Sequence, residues 1–269
     1  MDDCLSVSAL CFPGMPPMDV LDTVAGIGAA HTTLHVAAVA EAGPAAVRSY
    51  GEAIGVGVEA LIAGLGPNLD DEATWAAART RLNESVDVAA TVGARSVYML
   101  TGSRKWMPWE GAVDRFHEFI SPCVDRAIAS SVHLAVEPAM VLYADLTFVH
   151  TARDAFALID CIPGLRVDLD LFHVWTERDL RGAIASHAHE ISLVQVGDFF
   201  PGDRSLPARA VPGDGMVPIR EILGWLFDAG YTGVVDLELN GPRIDEEGHL
   251  PSARRGASVL DTVLRDLRA

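Results

Sequence analysis

Leu134-Ala-Val-Glu137 is a short apolar run closed by a carboxylate. Three later segments repeat its form: Val167-Asp-Leu-Asp170, Leu193-Val-Gln195 and Val234-Val-Asp-Leu-Glu238. The closing residues stand 33, 25 and 43 positions apart, each enough for one strand–helix–strand unit. In a barrel of parallel strands, such ends point three carboxylates and an amide into one mouth. Charges gathered in this way repel unless something positive lies between them. A divalent cation with oxygen ligands answers that need.

Outward from these four runs, apolar β-rich segments alternate with longer Ala-rich segments of helical period. The expected strands are Leu5–Phe12, Thr32–Val36, Gly57–Ala63, Ser96–Thr101, His133–Glu137, Arg166–Leu171, Ser192–Gly197 and Val234–Leu239. The expected helices are Pro17–Ile27, Ala45–Ala53, Asp71–Thr91, Trp109–Ser130, Ala152–Cys161, Leu180–Ala188, Ile219–Ala229 and Ala253–Arg268. Eight strands alternating with eight helices predict an α/β fold, a (β/α)8 TIM barrel, with residues 1–269 as one domain. A doubly wound open sheet is the competing arrangement. It calls for a Gly-rich phosphate loop after an early strand, and Cys11-Phe-Pro-Gly-Met-Pro-Pro17 is not one. The Gly- and Pro-bearing pieces Gly14–Pro17, Gly64–Asn68, Gly197–Gly215 and Gly241–Gly248 read as loops. Residues 198–215 are long enough to cover part of the mouth.

Composition narrows the function classes. The net charge of −17 repels phosphate backbones and anionic lipid, so neither nucleic acid nor membrane is an expected partner. No apolar stretch reaches the length of a membrane span. The start Met1-Asp-Asp-Cys4 has no basic segment ahead of an apolar one, and the four cysteines lack metal-ligand spacing. Both features point to reduced thiols in a cytoplasmic protein. Lys105 is the only lysine and falls in a loop, which argues against imine chemistry.

Each candidate residue also has a plainer role. Glu137 or Glu238 alone is as well explained by a solvated strand end; two of them, on strands separated by two others, face one mouth from opposite sides. Asp170 and His173 form Asp-x-x-His at a strand end, suited to a cation ligand and a substrate contact, although a histidine near Trp175 is often merely packed. Gln195 offers a neutral oxygen ligand or simply a hydrogen bond. Arg209, ahead of Pro212-Gly-Asp-Gly215, suits a clamp on substrate oxygens, against the alternative of a solvated loop arginine. Trp106 and Trp109 suit packing on a sugar ring or ordinary core packing. Asp168 and Asp236 lie two residues before Asp170 and Glu238, hence one layer deeper on the same face. Buried there they need partners, for which His35 and Arg166 are the candidates.

Leu134-Ala-Val-Glu-Pro138, Val167-Asp-Leu-Asp-Leu-Phe-His-Val-Trp175, Gln195-Val-Gly-Asp198, Arg209-Ala-Val-Pro-Gly-Asp-Gly215 and Gly230-Tyr-Thr-Gly-Val-Val-Asp-Leu-Glu238 resemble, in this order, the sugar-phosphate isomerase/epimerase family of the xylose isomerase-like TIM barrel superfamily. The resemblance implies a metal site of Glu137, Asp170, Gln195 and Glu238, with Gln195 where the family usually has histidine. It implies Mn2+ as the cation, with Mg2+, Co2+ or Zn2+ as alternatives, and Glu137 and Glu238 as the acid/base pair. It implies substrate contacts from His173 and Arg209, to which the sequence reading adds Trp106. The implied activity is isomerisation or epimerisation of a sugar or other polyhydroxy carbonyl compound, with homo-oligomers common in such barrels. A dehydratase of the inosose type shares the first half of that chemistry. A non-catalytic binding or partner barrel is the reading that Gln195 keeps open. The ligand sets of the superfamily's trinuclear zinc endonucleases are not evident.

Overall fold

Short β-rich runs separated by amphipathic helices can bury both their faces by closing on themselves under a helical coat. The protein does so. Its structure, a computed structural model, describes all 269 residues. The strands are β1 (Leu5–Ser8), β2 (His31–His35), β3 (Gly57–Ile62), β4 (Ser96–Met99), β5 (His133–Val136), β6 (Leu165–Asp170), β7 (Ile191–Val196), β8 (Asp198–Phe199), β9 (Arg209–Ala210) and β10 (Val235–Leu237). Strands β1 to β7 and β10 form a closed parallel barrel, β10 pairing with both β7 and β1. The pair β8–β9 is a separate antiparallel hairpin in the connection after β7.

The helices are α1 (Pro17–Ile27), α2 (Val36–Ala42), α3 (Pro44–Ile54), α4 (Trp75–Val92), α5 (Trp109–Ala129), α6 (Ala152–Cys161), α7 (Leu171–Val174), α8 (Leu180–His187), α9 (Ile219–Asp228), α10 (Pro242–Glu247) and α11 (His249–Arg268). A core of 69 buried residues lies chiefly between strands and helices, centred in part on Phe116, which packs edge-on to Phe148 at 5.8 Å. Ala60, Tyr98, Ala135, Leu193 and Val234 form a smaller cluster inside the barrel. None of the helices is long and apolar enough to cross a membrane.

Several expected boundaries moved for local reasons. The first strand stops at Ser8, whose hydroxyl accepts from the Leu10 amide and turns the chain into a 3-10 segment, Ala9–Cys11. Strand β2 ends at His35, one residue short of the expected bound, and Val36 opens α2, a helix absent from the expected elements. Gly43 then breaks the chain before Pro44 starts α3. Residues 71–74 form a turn ahead of α4. Two stretches read as loops contain structure: the β8–β9 hairpin and α10, while α11 begins at His249, four residues earlier than expected.

Candidate active site

Glu137 directly follows β5, Asp170 closes β6, Gln195 is the penultimate residue of β7, and Glu238 directly follows β10. All four therefore reach the C-terminal end of neighbouring barrel strands. Gln195 is the Cα partner of Asp170 on one side, and on the other it pairs with Asp236, two residues before Glu238. Asp170, Gln195 and Glu238 are buried, and Glu137 keeps 14% side-chain exposure.

Arg209 joins this group from outside the barrel. Its Nη2 lies 2.5 Å from Asp170 Oδ2 and 2.6 Å from Glu238 Oε1, and its Nη1 donates to Asp170 Oδ1 at 3.2 Å. The guanidinium also sits 4.6 Å from the centre of the Phe172 ring. The sequence alternative of a solvated loop arginine is thus overturned: Arg209 is 3% exposed. Gly197 makes room for it, since a Cβ there would lie 2.8 Å from the Glu238 carbonyl oxygen and 3.2 Å from Arg209 Cδ and Nη1.

The loop that delivers Arg209 is tied by Asp198. One carboxylate oxygen accepts from the Phe199 and Val217 amides at 2.8 and 3.0 Å, the other from Gly213 and Gly215 at 2.9 Å each. A side chain at position 215 would place its Cβ 2.2 Å from that carboxylate, so the closing turn requires glycine. Within Gln-Val-Gly-Asp the sequence alone assigns Asp198 no role. Three of its four partners come from 15 to 19 residues downstream, and no local pattern specifies such contacts.

His173 lies between the two carboxylates of its own side of the mouth. Its Nε2 is 3.6 Å from Asp170 Oδ2 and 3.8 Å from Glu137 Oε1. Tyr143 and Phe172 meet its ring edge-on at 5.4 and 5.2 Å. Burial pulls the imidazole down to about 4, against the opposing pull of Asp170, so it is neutral at physiological pH. Burial pushes Glu238 up to about 7, Arg209 resisting. Burial, reinforced by Glu238 and Asp170, lifts Glu137 well above the usual carboxylate range. Burial also works against the Asp170 anion, but Arg209 and His173 outweigh it and hold that group below its ordinary value. The mouth therefore contains one firmly ionised carboxylate flanked by two that can hold protons.

One layer deeper, the expected partners of Asp168 and Asp236 are replaced. Asp236 Oδ1 accepts from the Ser6 hydroxyl at 2.5 Å, while both oxygens of Asp168 have no hydrogen-bond partner. Neither His35 nor Arg166 pairs with them; Arg166 donates instead to the His189 carbonyl. Burial pushes Asp236 up to about 7 and Asp168 well above its ordinary value, the response of an acid enclosed without a cation. Tyr98, unremarked in the sequence, supports the layer by accepting from Gln195 Nε2 at 3.2 Å; the same amide donates to Glu238. Trp106 is not brought into the group, standing 98% exposed. Trp109 opens α5 and packs edge-on to Phe148 at 5.4 Å. The lone lysine is committed to a salt bridge with Asp70 at 2.8 Å.

The donor chemistry fits a divalent cation. Three carboxylates meet a single guanidinium, an excess of two negative charges when all are ionised. The Gln195 carbonyl oxygen is buried with no donor to satisfy it, and such an atom is an acceptable oxygen ligand. Ligand atoms of Glu137, Asp170 and His173 already lie within 4.8 Å of one another. Glu238 is drawn instead toward Arg209 and Gln195.

Similar solved structures share this barrel at low identity. A protein from Sinorhizobium meliloti matches with a TM-score of 0.84 at 23% identity, over 99% of this chain and 98% of that one. An IolI protein described with a binding zinc atom matches with a TM-score of 0.85 at 15% identity, over 98% of each chain. D-psicose 3-epimerase from Clostridium cellulolyticum H10, described with D-tagatose, matches with a TM-score of 0.80 at 16% identity, over 98% and 99%. A family model for xylose isomerase-like TIM barrels matches residues 22–262. With that match spanning most of its length, and with the closed parallel barrel on which it rests, the chain belongs to the xylose isomerase-like TIM barrel family.

Proposed function

We propose that the protein is a divalent-metal-dependent isomerase or epimerase of a sugar or related polyhydroxy carbonyl compound. The observation that carries this reading is the presence of Glu137 and Glu238 at one end of the barrel, on strands flanking those of Asp170 and Gln195, with Arg209 bridging Asp170 and Glu238. Glu137, Asp170 and Glu238, with the Gln195 carbonyl, would hold the cation, and Mn2+ suits such an oxygen-rich donor set. A cation held there supplies Lewis-acid polarisation of the substrate carbonyl.

The remaining work falls to the side chains. One glutamate, in its ionised form, removes the proton on the carbon next to the carbonyl. Arg209, anchored by Asp170, keeps a fixed positive charge close to where the enediolate oxygens gather negative charge. His173, neutral, is available to hydrogen-bond a substrate hydroxyl. The other glutamate, carrying a proton because of its burial, returns one to the opposite face or to the adjacent carbon. The first outcome is an epimer, the second an aldose–ketose exchange. The epimerase neighbour supports this reading over the dehydratase branch, which needs the same abstraction followed by loss of a hydroxyl. Trp106, exposed on the loop after β4, is proposed to close over the bound sugar.

The test is wash-in of solvent deuterium at the carbon next to the carbonyl, followed by NMR on a panel of ketoses with Mn2+ present. Wild type exchanges that proton without losing water. Glu137→Gln and Glu238→Gln each lower the exchange rate by about a hundredfold or more, the usual contribution of a positioned acid or base. Full exchange in both variants would sink the two-glutamate mechanism.

A further inference from the structure

The connection from β5 to α6 carries a side chain of the mouth that the chemistry above leaves unused. The chain leaves the barrel at Glu137, makes a 3-10 turn over Val141–Tyr143, and enters α6 at Ala152. Apolarity alone would turn Val141 and Leu142 inward. They stand 68% and 60% exposed, and the half-buried Tyr143 goes in instead, its ring edge-on to His173 at 5.4 Å. Backbone contacts fix that choice. The Tyr143 amide donates to the Met140 carbonyl at 2.9 Å, and the Tyr143 carbonyl accepts from the Leu146 and Thr147 amides at 2.9 and 3.0 Å. The segment is also tied to the loop after β4. The Ser103 hydroxyl donates to the Ala144 carbonyl at 2.7 Å, and the buried hydroxyls of Thr101 and Thr147 pair at 2.8 Å.

The Tyr143 hydroxyl is uncommitted. Tyr50 donates to Asp22 at 2.8 Å, Tyr231 donates to the Val234 carbonyl at 2.6 Å, and Tyr98 accepts from Gln195 at 3.2 Å. Of the four tyrosines, only Tyr143 has a hydroxyl that meets no protein group, and that atom is not enclosed. Tyrosine hydroxyls turned inward usually find a partner. Burial pushes this phenol up; Arg209 pulls it down, and Asp170, Glu137 and Glu238 push it up further. It is therefore a neutral donor, and it lies within the field of all four charged groups of the mouth.

A donor is needed on this side. Arg209 is seated on Asp170 and Glu238, whereas the neighbour of Glu137 is the neutral His173. A lysine or arginine beside Glu137 would cancel the negative charge that attracts a divalent cation; a phenol supplies a donor and leaves that charge in place. We propose that Tyr143 is a further substrate-contacting residue, its hydroxyl donating to a substrate oxygen on the Glu137–His173 side of the mouth. The inference deepens the function proposed above and rests on it for the polyhydroxy character of the ligand. Two donors then bracket the substrate, a charged one fixed on Asp170 and a neutral one fixed on the β5–α6 connection.

The test uses compounds that cannot react. Xylitol and D-glucitol have the hydroxyls of a sugar and no carbonyl. Calorimetric titration with Mn2+ present compares wild type with Tyr143→Phe, which keeps the ring against His173 and loses no hydrogen bond within the protein, so thermal unfolding should be unchanged. Polyol affinity should fall by about two- to tenfold, the share of one neutral hydrogen bond, and Mn2+ affinity should stay the same. Fluorine NMR on protein carrying 3-fluorotyrosine gives a second reading, the Tyr143 resonance being the one missing from Tyr143→Phe. Polyol should shift that resonance and leave those of Tyr50 and Tyr231 in place. Equal polyol affinity in the two proteins, a Tyr143 resonance that ignores polyol, or no polyol binding by wild type overturns the proposal. Failure of deuterium wash-in alongside a Tyr143-dependent polyol affinity would count against the proposed reaction and leave this contact standing.

Discussion

Asp198→Asn isolates the device that holds Arg209 in the mouth. The native carboxylate accepts four backbone amides, two on each oxygen. An asparagine keeps one accepting oxygen and turns an NH2 group toward the other two donors. With the NH2 toward Gly213 and Gly215, both lose their acceptor inside a nearly closed environment. Hydrogen bonds to ionised groups contribute about 1.5–3 kcal/mol each, so the loss is roughly 3–6 kcal/mol. It falls on the connection 198–217 rather than on the barrel, because none of the four amides belongs to a barrel strand. At about 1.4 kcal/mol per tenfold, exchange of the Gly213 and Gly215 amides with solvent deuterium should quicken by a hundredfold or more. Amides of β4 to β6 should keep their protection. Catalytic efficiency should fall with the loop, because Arg209 rides on it and meets Asp170 and Glu238 only when it is closed. Unchanged protection at Gly213 and Gly215 would refute the argument, whatever happened to activity.

Two further substitutions probe the layers beneath and beside it. Asp236 has an ordinary value of 3.8 and is pushed up to about 7 by burial; between those values the folded state keeps a proton that the unfolded chain releases. Stability of the metal-free protein should therefore be fullest below pH 4, fall as pH rises to about 7, and level off above, a span of roughly 4 kcal/mol. Asp236→Asn removes that slope, so urea titrations should show it gaining more over wild type at pH 8 than at pH 5; an equal difference at both would be fatal to the account. Gln195→His replaces a neutral oxygen donor with imidazole, which suits zinc better. Zinc affinity measured by calorimetry should rise by about tenfold or more, and weaker or unchanged binding would remove position 195 from the ligand set.

Local chemistry explains how much was legible beforehand. Helix α1 was read at its observed bounds because Pro17 starts it and Gly28, at φ 95°, ends it. The eight barrel strands were found because apolar runs bounded by turns announce themselves within a few residues. Segments 36–42 and 242–247 escaped for the converse reason. The first is a short Ala-rich helix divided from α3 only by Gly43, and the second is a single polar helix inside a stretch rich in Gly and Pro.

From the sequence alone came the alternation of strands and helices, the barrel, and the position of Glu137, Asp170, Gln195 and Glu238 at strand ends. All of these follow from periods of two and 3.6 residues and from strand ends, which are short-range properties. The tertiary structure alone decided what each side chain meets. Arg209 reaches Asp170 across 39 positions, Gln195 reaches Tyr98 across 97, and Ser6 reaches Asp236 across 230. Protonation followed those meetings, since burial and neighbouring charge set which carboxylate holds its proton.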